Sequence, residues 1–429
     1  TLPTTSVTTT SILTTTSTVA TTTAPTTTTV PRRPTTTTSV KIKKKYNIIG
    51  GKGSSIIDGS VSAATSEENA VAESDLIFTG QGAIAVFDEA DSPLQISVGW
   101  DEYNALNGEA RIATGDIDGD GEEEIIIGLG PVEGNPGVPG GKFQILDDDF
   151  TSLGWGQIDW SDYNSINGES WPACGDIDGD GVDEILIGLG IGGNGRVEVF
   201  NFDNGQAVHA QWIKVGWEEY CIAGGGVRPA CGNIDFDRKD EIILGLYPVN
   251  DFLPEGKFEV LDGNARHLAW GVVDWPDYNA LNGETRPVCG NIDRTVHDEI
   301  LLGLGTNSEG RIPVYSYAMG KVILKRWLEA GTSDYRPENG ETRLACRDTD
   351  DDGLDEILVG FGPGSLGMME LHDDGLHDFS LISTLQMPDA DYNSAIGETY
   401  PAIRGIKNKY PRITDFLLKL FTNKSIKQP

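Results

Sequence analysis

The residues best placed to do chemistry stand in the run DIDGDGEEE, where Asp116, Asp118 and Asp120 alternate along a short loop and Glu124 follows at the ninth position. With Gly121 at the turn and the carbonyl of Glu122 left free, these side chains make a cage of oxygens. Calcium accepts about six to eight oxygens in irregular geometry, whereas magnesium demands a stricter octahedron, so calcium is the cofactor expected. The loop recurs as Asp176, Asp178, Asp180, the Val182 carbonyl and Glu184, and again as Asp348, Asp350, Asp352, the Leu354 carbonyl and Glu356. Beside the ninth-position glutamates, Asp183 and Asp355 are alternative ligands. A weaker copy (Asn233, Asp235, Asp237, the Lys239 carbonyl and Glu241) has Arg238 in place of the turn glycine. The copy Asn291, Asp293, Thr295, Glu299 has lost two carboxylates and gained Arg294, and is expected to hold no metal. Solvated acidic surface is the plainer account of any one loop, but the spacing recurs together with its flanking apolar runs.

Such loops need elements to hold them. Their first positions, Asp116, Asp176, Asn233, Asn291 and Asp348, fall at a period near 58 residues, the mark of a repeat architecture. Each unit reads as four short strands: one before the acidic loop, the DEILIGLG strand after it, a GKFQIL-like strand and a GWGQIDW-like strand, which together make a propeller blade. Gly188 and Gly190 read as ending the second strand in a tight turn. Trp100, Trp160, Trp217 and Trp275 end the fourth strands and read as inter-blade packing. Ahead of the first strand recurs DYNALNGExR, with Tyr103, Asn104, Asn107, Glu109 and Arg111 in one copy and Tyr278, Asn279, Asn282, Glu284 and Arg286 in another. Its Glu and Arg lie two apart, share a strand face, and suit a blade-to-blade clasp, with a carbohydrate-binding ring as the rival reading. The first unit shows only DLIFTGQG and AIAVFD and the last only DYNSAIGETYPAIRG, so residues 399–404 are expected to supply a missing first strand and close the ring. The fold expected is an all-β, six-bladed β-propeller of four-stranded blades over residues 46–405. Seven blades is the alternative, should residues 46–62 form strands of their own.

The motif D-x-D-x-D-G-x-x-[DE] between two strands, with its trailing I-x-I-G-x-G, resembles the FG-GAP (VCBS) repeats of integrin α-subunit propellers and their bacterial relatives over roughly residues 70–405. The resemblance implies calcium ligation by positions one, three, five and nine and by the carbonyl of position seven, which are the residues named above.

The charge is segregated. Residues 46–403 carry 65 acids against 19 bases, whereas residues 1–45 carry six bases and no acid, and residues 404–429 seven bases with only Asp415. An acidic body repels a phosphate backbone, which argues against nucleic acid as a partner. Residues 1–45 form a threonine-rich extended arm, read either as an O-glycosylated stalk, with Thr8, Thr9, Thr10, Thr26, Thr27, Thr28, Thr35 and Thr36 as acceptors, or as a bare linker. Residues 406–429 form a basic tail in which Ile413, Phe416, Leu417, Leu420 and Phe421 outline a short amphipathic helix, followed by a sequon at Asn423. No apolar run is long enough to span a bilayer, and the start at Thr1 reads as a processed or truncated product. Cys174, Cys231, Cys289 and Cys346 share one repeat position and read as small core residues, with Cys221 unassigned. No nucleophile elbow, P-loop or paired zinc histidines occur, so the chain is read as no enzyme. The function expected is that of a secreted or cell-surface calcium-binding structural protein, assembling with copies of itself through arm and tail into a filament or array. A lectin-like adhesin bound to glycans or the cell envelope is the first alternative, and a non-catalytic module of an exported enzyme system the second.

Overall fold

The computed structural model describes residues 46–52, 83–87 and 94–405, apart from residues 107, 236, 251 and 351. All of these fall in the unit Lys43–Pro429. The threonine arm, the run DLIFTGQG, Asn107, the tail helix and Asn423 lie outside the described residues.

Five blades are each built from four consecutive antiparallel strands. Counting three preceding strands, β1 (Tyr46–Lys52), β2 (Ala83–Phe87) and β3 (Leu94–Ser97), the first blade is β4 (Ala110–Gly115), β5 (Glu124–Leu129), β6 (Lys142–Leu146) and β7 (Ser152–Gln157). The second is β8 (Ser170–Gly175), β9 (Glu184–Leu189), β10 (Arg196–Asp203) and β11 (Gln206–Lys214); the third β12 (Val227–Gly232), β13 (Glu241–Leu246), β14 (Lys257–Leu261) and β15 (His267–Val272). The fourth is β16 (Thr285–Gly290), β17 (Glu299–Leu304), β18 (Arg311–Ala318) and β19 (Lys321–Glu329); the fifth β20 (Thr342–Arg347), β21 (Glu356–Phe361), β22 (Met368–His372) and β23 (Leu381–Gln386). Beside these blades, β24 (Thr399–Gly405) joins β1, β2 and β3 in a composite four-stranded sheet of order β24-β1-β2-β3. The inner strands β4, β8, β12, β16, β20 and β24 neighbour one another in a closed circuit.

The expected count of six blades, with seven as its alternative, is corrected to five sequence-continuous blades, beside which both ends of the repeat region jointly make one further sheet. Two parts of that reading need correcting. Residues 46–52 do not begin a seventh blade; they fill the second place of the composite sheet, where Tyr46 pairs with Gly405 and Ile48 with Ile403. That place was expected to go to DLIFTGQG.

The second strands of the five blades are buried at every position because a neighbouring sheet covers each face, which is why they read as unbroken apolar runs such as EILIGL. Gly188 lies inside β9 rather than at a turn. A Cβ there would sit 2.3 Å from the Val227 carbonyl of the next blade, so the glycine serves close approach of two sheets.

Six short helices, α1 (Asp101–Leu106), α2 (Ser161–Ile166), α3 (Glu218–Ile222), α4 (Pro276–Leu281), α5 (Tyr335–Glu338) and α6 (Ala390–Ala395), each carry one tyrosine between sheets, within DYN in α2, α4 and α6. Their tyrosines are buried, and the Tyr103 hydroxyl donates to the Glu109 carbonyl at 2.7 Å and accepts from the Gly130 amide at 2.8 Å. The Asn104, Asn164, Asn279 and Asn393 amides each donate to a backbone carbonyl six residues earlier. Cys221 takes this asparagine place in α3, its thiol 3.4 Å from the Val215 carbonyl. Trp100, Trp160, Trp217 and Trp275 stand just ahead of the helices and stack on the helical tyrosines with centroids 5.5–5.8 Å apart.

Candidate metal centres

Each acidic loop joins the first strand of a blade to the second. In the β4–β5 loop Gly119 and Gly121 have φ of +77° and +90°, a left-handed backbone that glycine adopts without strain. Here the aspartates fold onto their own backbone: Asp116 Oδ1 accepts from the Gly119 amide at 2.8 Å, Asp118 Oδ1 from Asp120 at 3.1 Å, and Asp120 Oδ1 from Glu122 at 2.8 Å. Glu124, the first residue of β5, is buried, and its Oε2 accepts from the Ile117 amide at 2.9 Å. One oxygen of each carboxylate is spent holding the loop. Carboxylate oxygens of Asp116, Asp118 and Glu124 come within 4.8 Å of one another. Burial, followed by the charges of Asp118, Asp116 and Asp120, pushes the Glu124 carboxyl up to about 8. A carboxyl whose ionisation is opposed by burial and by its neighbours is one that a divalent cation would relieve.

The β8–β9 loop repeats this arrangement. The Asp180 amide reaches both Asp176 Oδ1 and Asp178 Oδ1 at 3.0 Å, Asp180 Oδ1 accepts from Val182 at 2.9 Å, and Asp176, Asp178 and Glu184 converge as in the first loop. Glu184 is raised to about 7, by burial first and then by Asp178. In the β20–β21 loop Asp348 Oδ2 accepts from Gly353 at 3.0 Å, Asp350 Oδ1 from Asp352 at 3.1 Å, and Asp352 Oδ1 from Leu354 at 3.0 Å. Glu356 is raised to about 8 by burial and by Asp350 and Asp348; its Oε2 accepts from the Thr349 amide, while its Oε1 is buried with no hydrogen-bond partner.

The weaker β12–β13 loop keeps the cage. Asp235, Asp237 and Glu241 converge within the same 4.8 Å, and Lys239 donates its amide to Asp237 Oδ1 at 2.9 Å. Arg238 holds the turn at φ +79° in place of glycine, and the Lys239 side chain reaches back to the Asp178 carbonyl of the preceding blade. In the β16–β17 loop the Thr295 hydroxyl lies 3.0 Å from Glu299 Oε1, so a hydroxyl meets the oxygen whose counterpart in Glu356 is bare.

Asp183 and Asp355 do not turn into their own loops. Asp183 Oδ2 accepts from the Asp116 amide of the preceding blade at 3.0 Å and Asp355 Oδ2 from Asn291 at 2.8 Å, while their own amides donate to the Asp116 and Asn291 carbonyls at 2.9 Å. They clasp blades, each spending one carboxylate oxygen on the backbone of the preceding blade.

The other end of the inner strands carries the Glu-x-Arg residues, as a belt. Arg111 meets its own Glu109 at 2.6 Å and Glu169 of the next blade at 3.6 Å. Arg286 bridges Glu284 and Glu341, and Arg343 bridges Glu341 at 2.6 Å and Glu398 at 2.9 Å. Where the arginine is missing, Trp171 donates to Glu169 at 2.6 Å and the Tyr400 hydroxyl to Glu109 at 3.2 Å, while Arg111 and Arg343 lie over their rings at 3.5 and 3.9 Å. Burial opposes the charge of Glu341, yet Arg286 and Arg343 hold its carboxyl down at about 2. Sequence reasoning placed the clasp but not the aromatic substitutes, whose signal was their occurrence at arginine positions.

No protein-family model matches the chain, and no curated protein does. Among solved structures it is similar to the rhamnogalacturonan lyase YesW, at 13% identity and a TM-score of 0.34, over 76% of this chain and 58% of that one. It is also similar to the Dos1 propeller, at 10% identity and a TM-score of 0.39, over 77% of this chain and 87% of that one.

Proposed function

We propose that the chain is an FG-GAP-like, secreted or cell-surface structural protein whose acidic loops bind calcium and whose basic arm and tail join copies of it into a filament or array. The observation that carries the calcium reading is Glu356 Oε1, a buried carboxylate oxygen without a donor inside a loop of further carboxylates. Its counterpart in the loop short of aspartates is met by a threonine hydroxyl. Leaving such an oxygen unpaired costs about 1–3 kcal/mol or more, and a cation removes that cost. Charge segregation along the chain supports assembly, a basic arm suiting an acidic body. Function then lies in binding, with no catalytic step assigned.

Calcium that binds only the native state adds about 2.7 kcal/mol per site at a hundredfold excess over Kd. The melting temperature of the full chain is therefore expected to drop when a chelator is added and to recover with calcium; an unchanged melting curve refutes the reading. For assembly, size-exclusion chromatography of the full chain against one lacking residues 1–45 should show a larger species only with the arm.

A further inference from the structure

The hairpins joining third to fourth strands are two-residue turns in the second and fourth blades, but the one between β22 and β23 is longer and reads DDGLHDFS. Its Gly375 amide donates to the Ile292 carbonyl of the preceding blade at 2.8 Å, which anchors it. Asp374 in this hairpin is 0% exposed. Its Oδ1 accepts from the amides of Leu376 at 2.5 Å and His377 at 3.2 Å, whereas Oδ2 has no hydrogen-bond partner. His377 Nδ1 stands 3.3 Å from Asp374 Oδ1 and 2.9 Å from Asp373 Oδ1. Ligand atoms of Asp374, His377 and Asp352 lie within 4.8 Å of one another.

We propose that Asp352, Asp374 and His377 form a second cation site, separate from the acidic-loop cage of the same blade but sharing the Asp352 carboxylate with it. An imidazole nitrogen among the ligands selects against calcium, which takes oxygens, and for a divalent transition metal, zinc foremost. Two carboxylates and one imidazole supply three of the four ligands that zinc takes, and His377, its side chain 52% exposed, leaves room for water as the fourth. The buried, unpartnered Asp374 Oδ2 is the pre-set part of the site.

The test is zinc titration of the full chain in excess calcium, which keeps the oxygen-only cages filled, with cobalt(II) absorption reporting nitrogen coordination. One zinc per chain is expected. His377→Ala, at an exposed residue, and the isosteric Asp374→Asn should each weaken it at least tenfold, and His267→Ala should leave it unchanged. Equal zinc affinity in wild type and His377→Ala, or an equal loss in His267→Ala, means adventitious surface binding and overturns the proposal. Calcium-dependent melting of the same variants is read separately: it should persist in His377→Ala, so failure of the zinc site and failure of the calcium reading are distinguishable.

Discussion

A ninth-position glutamate behaves as its surroundings dictate. Unfolded, these carboxyls titrate near 4.3; folded and without metal, Glu124, Glu184 and Glu356 are raised to about 8, 7 and 8. Between those limits the fold holds protons that the unfolded chain has released. Their contribution favours the fold at low pH, is lost as pH rises through that window, and is gone above about pH 8. Calcium takes the place of the proton, so the gap in melting temperature between calcium-loaded and chelated protein is expected to widen from pH 5 to pH 8; calorimetry at the two pH values checks it. Asp178→Ala, which removes a ligand from a complete cage, should cost one calcium and more stability than Asp293→Ala, in a loop already closed by Thr295. Equal calcium stoichiometry in the two variants would refute the division. The cages were legible because alternate aspartates and glycines leave a local pattern. The hold of Asp183 and Asp355 on the preceding blade was not, because its partners, the Asp116 and Asn291 amides, lie a whole repeat away in sequence.

Among the elements, the strands of the continuous blades were legible from their apolar runs, and the first strand at residues 399–404 was found from the incompleteness of the last unit. β1 escaped because about thirty residues separate it from β2. Its signal was Gly51, paired with Tyr400 as Gly128 is paired with Arg111, and a stronger apolar run in DLIFTGQG masked it. The helices escaped because four to six residues hold too few turns for a periodic pattern. Since β24 is the inner strand of the composite sheet, a chain ending before Asp391 should expose the edge of β1 and aggregate. One ending at Gly405 should stay folded, and light scattering separates the two. Equal folding of both would mean that β24 is dispensable.

At the scale of the whole molecule, the belt of Glu, Arg, Trp and Tyr ties each inner strand to the next around the circuit, with Arg228 lying over Trp171 and pairing with Glu284 to complete it. Arg286, its side chain 12% exposed, lies between Glu284 and Glu341. Replacing it by alanine takes one of two cations from each carboxylate, leaving Arg228 on Glu284 and Arg343 on Glu341, at a cost of about 1.5–3 kcal/mol. Urea unfolding of Arg286→Ala should show that loss; a change under about 1 kcal/mol, the usual size for a surface ion pair, would mean the belt is not structural. The composite sheet has a mechanical corollary. Tyr46 and Gly405 are paired at one end of an antiparallel ladder, so tension applied between the chain ahead of Tyr46 and the chain after Gly405 peels the two strands apart like a zip. Each ladder bond then bears the load in turn, and each is worth only about 0.5–1.5 kcal/mol. A fibre strung through this molecule from one end of the chain to the other would yield there first, whereas one that pulls both ends in the same direction would load the ring as a single body.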